Sequence, residues 1–88
     1  MDAITGVLAK ELGARKIRVN SILPGVTRTP GLKKIEGFEE TVGKQLIANT
    51  PLGRLGEPID IAHVAVFLAS DDAAWATGEA IRVGGGLQ

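Results

Sequence analysis

Cysteine and tyrosine are both missing from this 88-residue sequence, which also has only one histidine, one tryptophan and two phenylalanines. Without cysteine the chain has no disulfide, thiol nucleophile or thiolate metal site, and this composition is typical of intracellular proteins. With so few aromatic side chains, it has little to stack against nucleic-acid bases. Neither charge is in excess, since ten basic residues balance ten acidic ones. We therefore expect no nucleic-acid partner and no attraction to an anionic membrane.

Long apolar runs are absent as well. The longest, at residues 64–69, is far shorter than the ~20 residues that span a bilayer, and the first residues lack the basic and apolar regions of a secretory signal. These absences predict a cytoplasmic protein with no membrane association. The chain does have 44% hydrophobic residues, although its 88 residues suggest one domain, or part of one, with marginal stability.

Two segments have the pattern of helices. Apolar residues recur at steps of three and four over residues 3–12, with Asp2 placed to cap the helix and Gly13 to end it. Residues 58–69 begin with Pro58 and are apolar almost all round, so we expect this helix to be buried on more than one side. Residues 70–72 should end it, and residues 73–76 should form one further turn.

Two short alternating segments, at about 17–23 and 79–83, predict strands. Residues 26–57 between them are rich in glycine, and Ile35, Phe38, Val42 and Leu46 at helical spacing predict a marginal, mobile helical lid at about 30–56. Two strands joined by a long crossover favour parallel pairing and leave one edge of the first strand open. The predicted fold is therefore α/β, in the order helix, strand, lid, helix, strand.

The motifs, in their order along the chain, resemble the short-chain dehydrogenase/reductase family. The first strand runs into Pro24-Gly25-Val26-Thr27-Arg28-Thr29, which is similar to that family's Pro-Gly-x-x-x-Thr loop beside the cofactor. Residues 8–12 and 17–20 are similar to the helix and strand that follow the family's active site, and residues 51–62, 67–71 and 77–86 to its penultimate helix and last strand. The resemblance implies the carboxy-terminal part of a Rossmann-type doubly wound parallel sheet, with residues 1–88 as a single partial domain.

The resemblance also implies roles for four residues. Pro24 and Gly25 would place the backbone beside the nicotinamide of NAD or NADP, Val26 would offer its main-chain N–H to the carboxamide, and Thr29 its hydroxyl to the carboxamide or pyrophosphate. The residue types suit these roles, because proline fixes one backbone dihedral angle, glycine leaves room for a flat ring and threonine carries a short hydroxyl on a stiff stem. The alternative is that Pro24-Gly25 is only a turn and Thr29 only a loop residue before Pro30.

Parts of that family's machinery have no counterpart in the sequence. The Gly-rich phosphate loop, the residue that selects NAD or NADP, and the Ser and Tyr-x-x-x-Lys catalytic group would all precede the first residue. We therefore expect a carboxy-terminal segment that is catalytically incompetent alone and lacks a phosphate grip on the cofactor. Gly84 stands where many members have an acidic residue, and Gly84-Gly85-Gly86 lacks the following helix of a dinucleotide fingerprint.

For the remaining polar and aromatic residues we expect structural roles rather than catalytic or binding ones. His63 has Asp60 as its only obvious partner, so we expect a helix or interface residue rather than a base or metal ligand, and no metal site is predicted. Asp71-Asp72 is expected to break the helix, and Trp75 to pack at the sheet end or at an interface. We expect Arg28 and Arg54 to be solvated loop charges rather than contacts to an anionic ligand, and Phe38 and Leu46 to be lid packing rather than substrate contacts.

Two functions of different class follow. The resemblance implies a segment of an NAD(P)-dependent carbonyl or alcohol oxidoreductase that carries the nicotinamide-side loop, the substrate lid and an oligomer interface. The alternative is a noncatalytic assembly module, because the first helix and the last helix and strand carry apolar surface that a monomer of this size cannot hide. In both cases we expect a homo-oligomer, a dimer or tetramer. A missing amino-terminal half is a further candidate partner.

Overall fold

A computed structural model describes residues 3–38 and 40–87. Two strands, four helices and two short 3-10 turns make up the described chain. They are α1 (Ala3–Leu12), the turn Gly13–Arg15, β1 (Ser21–Pro24), α2 (Pro30–Lys33), α3 (Val42–Asn49), α4 (Pro58–Ala69), the turn Asp71–Ala73 and β2 (Ala80–Val83).

The two strands form a parallel pair, as predicted. Ser21 lies opposite Ala80 and Pro24 opposite Val83. Both strands are shorter than predicted at their amino ends, and β1 extends one residue further, to Pro24. The reason is visible at Val19, which bonds outside the ladder: its N–H donates to Thr77 Oγ1 (3.0 Å) and its carbonyl accepts from Gly78 N–H (2.7 Å).

The first helix has the predicted bounds but a different ending. Gly13 does not terminate it with a left-handed turn. The chain continues as a 3-10 turn, and the left-handed residue is Lys16, at φ 61°. Its N–H donates to the Gly13 carbonyl at 2.9 Å, which closes that turn. The predicted cap, Asp2, lies outside the described residues.

The lid contains a shorter helix than predicted. Ile35 and Phe38 precede α3, because Gly37 adopts φ 73°, a left-handed conformation that interrupts a helix. Gly43 is buried against Phe38, and its N–H donates to the Phe38 carbonyl at 2.7 Å. Only Val42 and Leu46 of the predicted helical set therefore lie in one helix, which covers Val42–Asn49.

The last helix has the predicted bounds, but the predicted burial on several sides is wrong for this chain. α4 contacts both strands, and Leu68 is its buried residue. Val66 is 70% exposed and Phe67 49% exposed. Trp75 is fully exposed, so it does not pack at the sheet end of this chain, and its packing at an interface stays a prediction. A two-stranded sheet covers one side of the helix and offers nothing to its other sides.

The carboxyl end of α4 is held by an arginine from the segment before β1. Arg18 Nη1 donates to the carbonyls of Leu68 (2.6 Å) and Ala73 (3.0 Å), and Nη2 to that of Ser70 (3.1 Å). The Leu68 carbonyl lies in the last turn of α4, where the helix has no further N–H groups to offer, whereas the Ser70 and Ala73 carbonyls also accept the N–H groups of Ala73 and Ala76. The buried apolar residues of the described chain form a small core of Ala9, Leu55, Leu68 and Ala73. None of the described helices has the length and apolar character needed to cross a membrane.

Candidate functional site

The predicted cofactor loop leaves β1 at Pro24 and passes directly beside the end of β2. Gly25 N–H donates to the Val83 carbonyl at 2.9 Å. A Cβ added to Gly25 would lie 2.6 Å from the Cα of Gly84. The added Cβ would clash with a main-chain atom of Gly84, so no side-chain movement could relieve the clash. Glycine at position 25 is thus required by the crossing of two chain segments, in addition to any need to admit a flat ring.

Beyond Gly25 the loop pairs with a single glycine. Gly56 N–H donates to the Val26 carbonyl at 3.0 Å, and the Gly56 carbonyl accepts from Arg28 N–H at 2.7 Å. Thr27 Oγ1 donates to the Gly25 carbonyl at 3.0 Å. Within the described residues, the Val26 N–H has no hydrogen-bond acceptor. Val26 is therefore held through its carbonyl while its N–H stays available as a donor.

The glycine triplet after β2 packs against the turn that follows α3. Leu52 N–H donates to the Gly85 carbonyl at 3.0 Å. A Cβ on Gly85 would lie 2.9 Å from Thr50 Cγ2, and one on Gly86 2.8 Å from Pro51 Cγ; both glycines have positive φ, 64° and 93°. Side chains are excluded here by backbone conformation and by space. The triplet serves to bring the end of β2 against this turn.

A cavity of about 200 Å³ lies between these loops and the start of α4. Complete small-molecule sites usually measure about 300–1,000 Å³, so this space suits part of a ligand. Of the four predicted contacts, Val26 lines the cavity, whereas Thr29 is exposed just before α2. Pro24 and Gly25 do not line the cavity, but they directly precede Val26 in the sequence. The residues that line it near the loop and the helix start include Val26, Arg54, Gly56, Asp60, Gly84 and Gly85.

The two arginines predicted to be solvated loop charges remain accessible to solvent and also pair with carboxylates at the start of α4. Arg54 binds Asp60 with both ends of its guanidinium, Nη1 to Oδ2 at 2.8 Å and Nη2 to Oδ1 at 3.1 Å. Arg28 Nη1 lies 3.0 Å from Glu57 Oε1. The sequence carried a signal for this in Glu57-Pro58-x-Asp60, a helix start with an acidic residue at its third position.

Asp60 is the residue that joins this network to the helix. Its Oδ2 also accepts the Glu57 N–H at 2.7 Å. The hydrogen bond from Arg54 and then that from the Glu57 backbone lower the pKa of Asp60 to about 2, from 3.8. The same hydrogen bond raises the pKa of Arg54. The pair is therefore ionised throughout the neutral range.

The other candidates lie away from the cavity. His63 is exposed on α4, and Asp71 and Asp72 are exposed in the turn after it. Phe38 and Leu46 are partly buried in the lid region and do not line the cavity. Among residues 3–38 and 40–87 there is no group of three histidine or acidic residues placed to hold a metal ion.

Comparison with known proteins gives matches along the entire chain. A family model described as enoyl-(acyl carrier protein) reductase matches residues 1–88. An uncharacterised oxidoreductase of Methylorubrum extorquens is 54% identical over 90 residues, which cover 100% of this chain and 36% of the relative. A 3α-hydroxysteroid dehydrogenase of Mediterraneibacter gnavus is 49% identical over 85 residues, covering 97% of this chain and 33% of the relative.

Solved structures also match nearly the whole chain. A 3-oxoacyl-(acyl-carrier protein) reductase from Brucella melitensis, determined with bound NAD, has a TM-score of 0.83 at 38% identity, over 96% of this chain and 29% of that chain. The match confirms the predicted fold class, part of a Rossmann-type parallel α/β sheet. The chain spans about a third of the length of the relatives that it matches.

Proposed function

Because the chain belongs to the short-chain dehydrogenase/reductase family, we propose that it is a single partial domain, the carboxy-terminal segment of an NAD(P)-dependent oxidoreductase that interconverts a carbonyl and an alcohol. The names of its relatives support this chemistry, since they include a hydroxysteroid dehydrogenase and a 3-oxoacyl reductase with bound NAD. When bound, the nicotinamide supplies or accepts the hydride at the carbonyl carbon. The absence of cysteine fits a cytoplasmic location.

The observation that carries the proposal is the Val26 N–H. Val26 follows the carboxyl end of a parallel strand and lines the cavity, and its N–H has no acceptor in the described chain. Ligands of open α/β sheets bind at the carboxyl ends of the strands. The carbonyl oxygen of a nicotinamide carboxamide is a suitable acceptor for this donor. Pro24 and Gly25 then lie beside the ring, and Thr29 contributes its hydroxyl from the residue before α2.

Catalysis in this proposal needs residues that the 88-residue sequence does not contain. The sequence has no tyrosine, so the family's acid/base group and its Gly-rich phosphate loop belong to the part of the longer relatives that this chain does not match. The chain carries the nicotinamide-side loop and the lid. By itself it should not turn over NADH or NADPH with any carbonyl substrate.

A chimera tests the proposal directly. The matched segment of the Brucella melitensis 3-oxoacyl reductase is replaced by these 88 residues, and NADH binding and turnover are measured. We expect an active chimera, whereas the 88-residue chain alone is inactive. Val26→Pro removes the donor N–H, while its ring also fixes φ at residue 26 and restricts Gly25, and it should weaken NADH binding by at least about tenfold, the effect of a hydrogen bond worth about 1.4 kcal/mol. Val26→Ala keeps the N–H and serves as its control.

Equal NADH affinity of these two variants would show that Val26 does not contact the cofactor. An inactive but folded chimera would contradict the assignment as an oxidoreductase segment. Turnover by the 88-residue chain alone would contradict its dependence on a longer protein.

A second candidate function, assembly, is favoured by the exposed apolar residues. Ile4 and Val7 on α1 are 71% and 55% exposed, and Trp75 is 100% exposed. Apolar surface of this extent on two helices and a turn marks an interaction site. We propose that copies of the chain associate through these faces as a dimer or tetramer. A folded monomer at micromolar concentration, measured by light scattering, would contradict this proposal.

A further inference from the structure

Two ion pairs lie on either side of Gly56, the glycine that pairs with the cofactor loop. On one side Arg54 binds Asp60, and on the other Arg28 binds Glu57. Gly56 lies between Arg54 and Glu57 in the sequence. Its own N–H and carbonyl are both used by the cofactor loop, at Val26 and Arg28. Whatever restrains the main chain at Gly56 therefore restrains the loop.

The Arg54–Asp60 pair connects the residues before Gly56 to those after it. Besides its two bonds to the Asp60 carboxylate, Arg54 Nη1 donates to the Leu55 carbonyl at 3.1 Å. Asp60 in turn accepts the Glu57 N–H. Residues on both sides of Gly56 are thus tied to the same carboxylate. The planar guanidinium makes this geometry possible, because it presents parallel donors to both carboxylate oxygens.

The packing around Gly56 itself is not tight, whereas the neighbouring Leu55 is buried in the core. A Cβ on Gly56 would be 3.5 Å from its nearest neighbours, Thr27 Oγ1 and the Val26 carbonyl oxygen, which is ordinary van der Waals contact. Gly53, three residues earlier, has φ 74° and open space around it. The hydrogen bonds and ion pairs therefore act together with the buried Leu55 side chain to hold this segment in place.

We propose that Arg54 and Asp60 are positioning residues for the cofactor. Their ion pair fixes Gly56, Gly56 fixes the Val26 carbonyl, and the Val26 N–H is thereby aimed at the nicotinamide carboxamide. This inference rests on the proposed function. It adds a role for two residues that line the cavity as an ion pair, and whose positioning effect reaches the cofactor through Gly56 and Val26.

The test is hydrogen exchange of the 88-residue chain, read residue by residue by NMR. Arg54→Lys keeps the charge and loses the two-pronged geometry. We expect the amides of Gly56 and Arg28 to exchange about two to five times faster, the range expected for an exposed pair. The amides of Ser21 and Gly25, which bond within the strand pair, should not change. Arg15→Lys, the same substitution at an exposed arginine before β1, is the matched control.

The cofactor readout comes from the chimera described above. Arg54→Lys should raise the dissociation constant for NADH by the same factor of about two to five, and Arg15→Lys should not. The swapped pair, Arg54→Asp with Asp60→Arg, should recover part of the affinity that Arg54→Asp alone loses.

Three results would overturn the inference. Exchange at Gly56 that does not change in Arg54→Lys would show that the pair does not hold the loop. Acceleration that includes Ser21 and Gly25 equally would make Arg54 a support for the whole chain. Faster exchange at Gly56 with unchanged NADH affinity would separate the loop from the cofactor. Failure of the proposed function is distinguishable, because it appears as equal affinity of Val26→Pro and Val26→Ala, whatever Arg54 does.

Discussion

At the scale of single residues, the space around a glycine decides whether a larger residue could replace it, and this space differs between positions. Gly25 has backbone atoms of Gly84 where its Cβ would be, at 2.6 Å. Gly56 has room for a methyl group, with its nearest contacts at 3.5 Å, and Gly6 in α1 has nothing within 4 Å. Only the first is sterically required. The Pro24-Gly25 pattern predicts a turn, whereas the partner that makes the glycine necessary lies at the other end of the sequence.

Substitution at two of these positions gives a matched prediction. Gly25→Ala forces one backbone segment away from another and should lower the free energy of unfolding by about 1–3 kcal/mol, the usual cost of overpacking. Gly56→Ala should change it by less than about 0.5 kcal/mol, since the space is available. Urea denaturation followed by circular dichroism measures both. Equal losses in the two variants would contradict the steric argument.

At the scale of elements, Arg18 connects the segment before β1 to the end of α4. Its alternation with Ile17 and Val19 in the sequence predicts only an outward position on a strand. The structure directs its guanidinium to three carbonyls at and beyond the carboxyl end of the helix. A cation is favourable there because the helix dipole gives that end partial negative charge. This contact anchors α4 over the strand pair.

Replacing Arg18 by methionine keeps much of the apolar stem and removes all three hydrogen bonds. We expect Arg18→Met to lower the free energy of unfolding by about 2 kcal/mol, as for hydrogen bonds to a charged group. Arg15→Met, at an exposed arginine three residues earlier in the chain, should change it little. Urea unfolding of both variants checks the prediction, which fails if the two lose equal stability.

The start of α4 should give the chain a defined acid response. The pKa of Asp60 is lowered from 3.8 to about 2 by Arg54 and by the Glu57 N–H. Its stabilisation is therefore complete above about pH 4 and is lost as the pH falls toward 2. We expect Asp60→Asn to melt at a lower temperature than the parent chain at pH 6, with the difference shrinking between pH 4 and pH 2.

Arg54→Gln provides the control for this prediction, because it removes the partner and leaves the carboxylate. Its melting temperature at pH 6 should also fall, and the double variant with Asp60→Asn should lose less than the two single losses combined. A melting difference for Asp60→Asn that stays constant from pH 6 to pH 2 would exclude the pairing as its cause.

At the scale of the whole molecule, the chain leaves much of its apolar surface uncovered. α1 and α4 each have one face against the described chain and large apolar residues exposed on others, including Ile4, Val7, Val66 and Phe67. The relatives that it matches are about three times as long. In the proposed assembly these faces would be covered by the rest of a longer chain, by further copies of this chain, or by both.

A pair of valines with nearly equal exposure tests the α1 face. Val7 is 55% exposed on α1, and Val42 is 53% exposed at the start of α3. We expect Val7→Lys to shift the chain toward monomer by at least about tenfold in dissociation constant, because it places a charge in an apolar contact. Val42→Lys should leave the association unchanged. Sedimentation equilibrium compares the two, and equal behaviour would remove α1 from the interface.

Local order along the sequence was sufficient for the bounds of α1 and α4, for the parallel strand pair and for the family. The helix bounds depend on apolar spacing, on Pro58 at a helix start and on turn residues, which act between near neighbours. The parallel pairing follows from the length of the crossover between the strands, and the family from the order of the motifs. The glycines at 37 and 43 gave warning of a weak lid helix, but which of them would interrupt it depended on packing against Phe38.

Tertiary structure alone decided which residues meet. It set Gly84 against Gly25 and placed Val26 on the cavity. It paired the solvated Arg54 and Arg28 with Asp60 and Glu57, and it left Thr29 and much of α4 exposed. The physical reason is that contacts between distant segments depend on how the elements pack, which local propensity does not encode. The Pro24-Gly25 turn can therefore be predicted from the sequence, whereas its contact with Gly84 is a property of the folded chain.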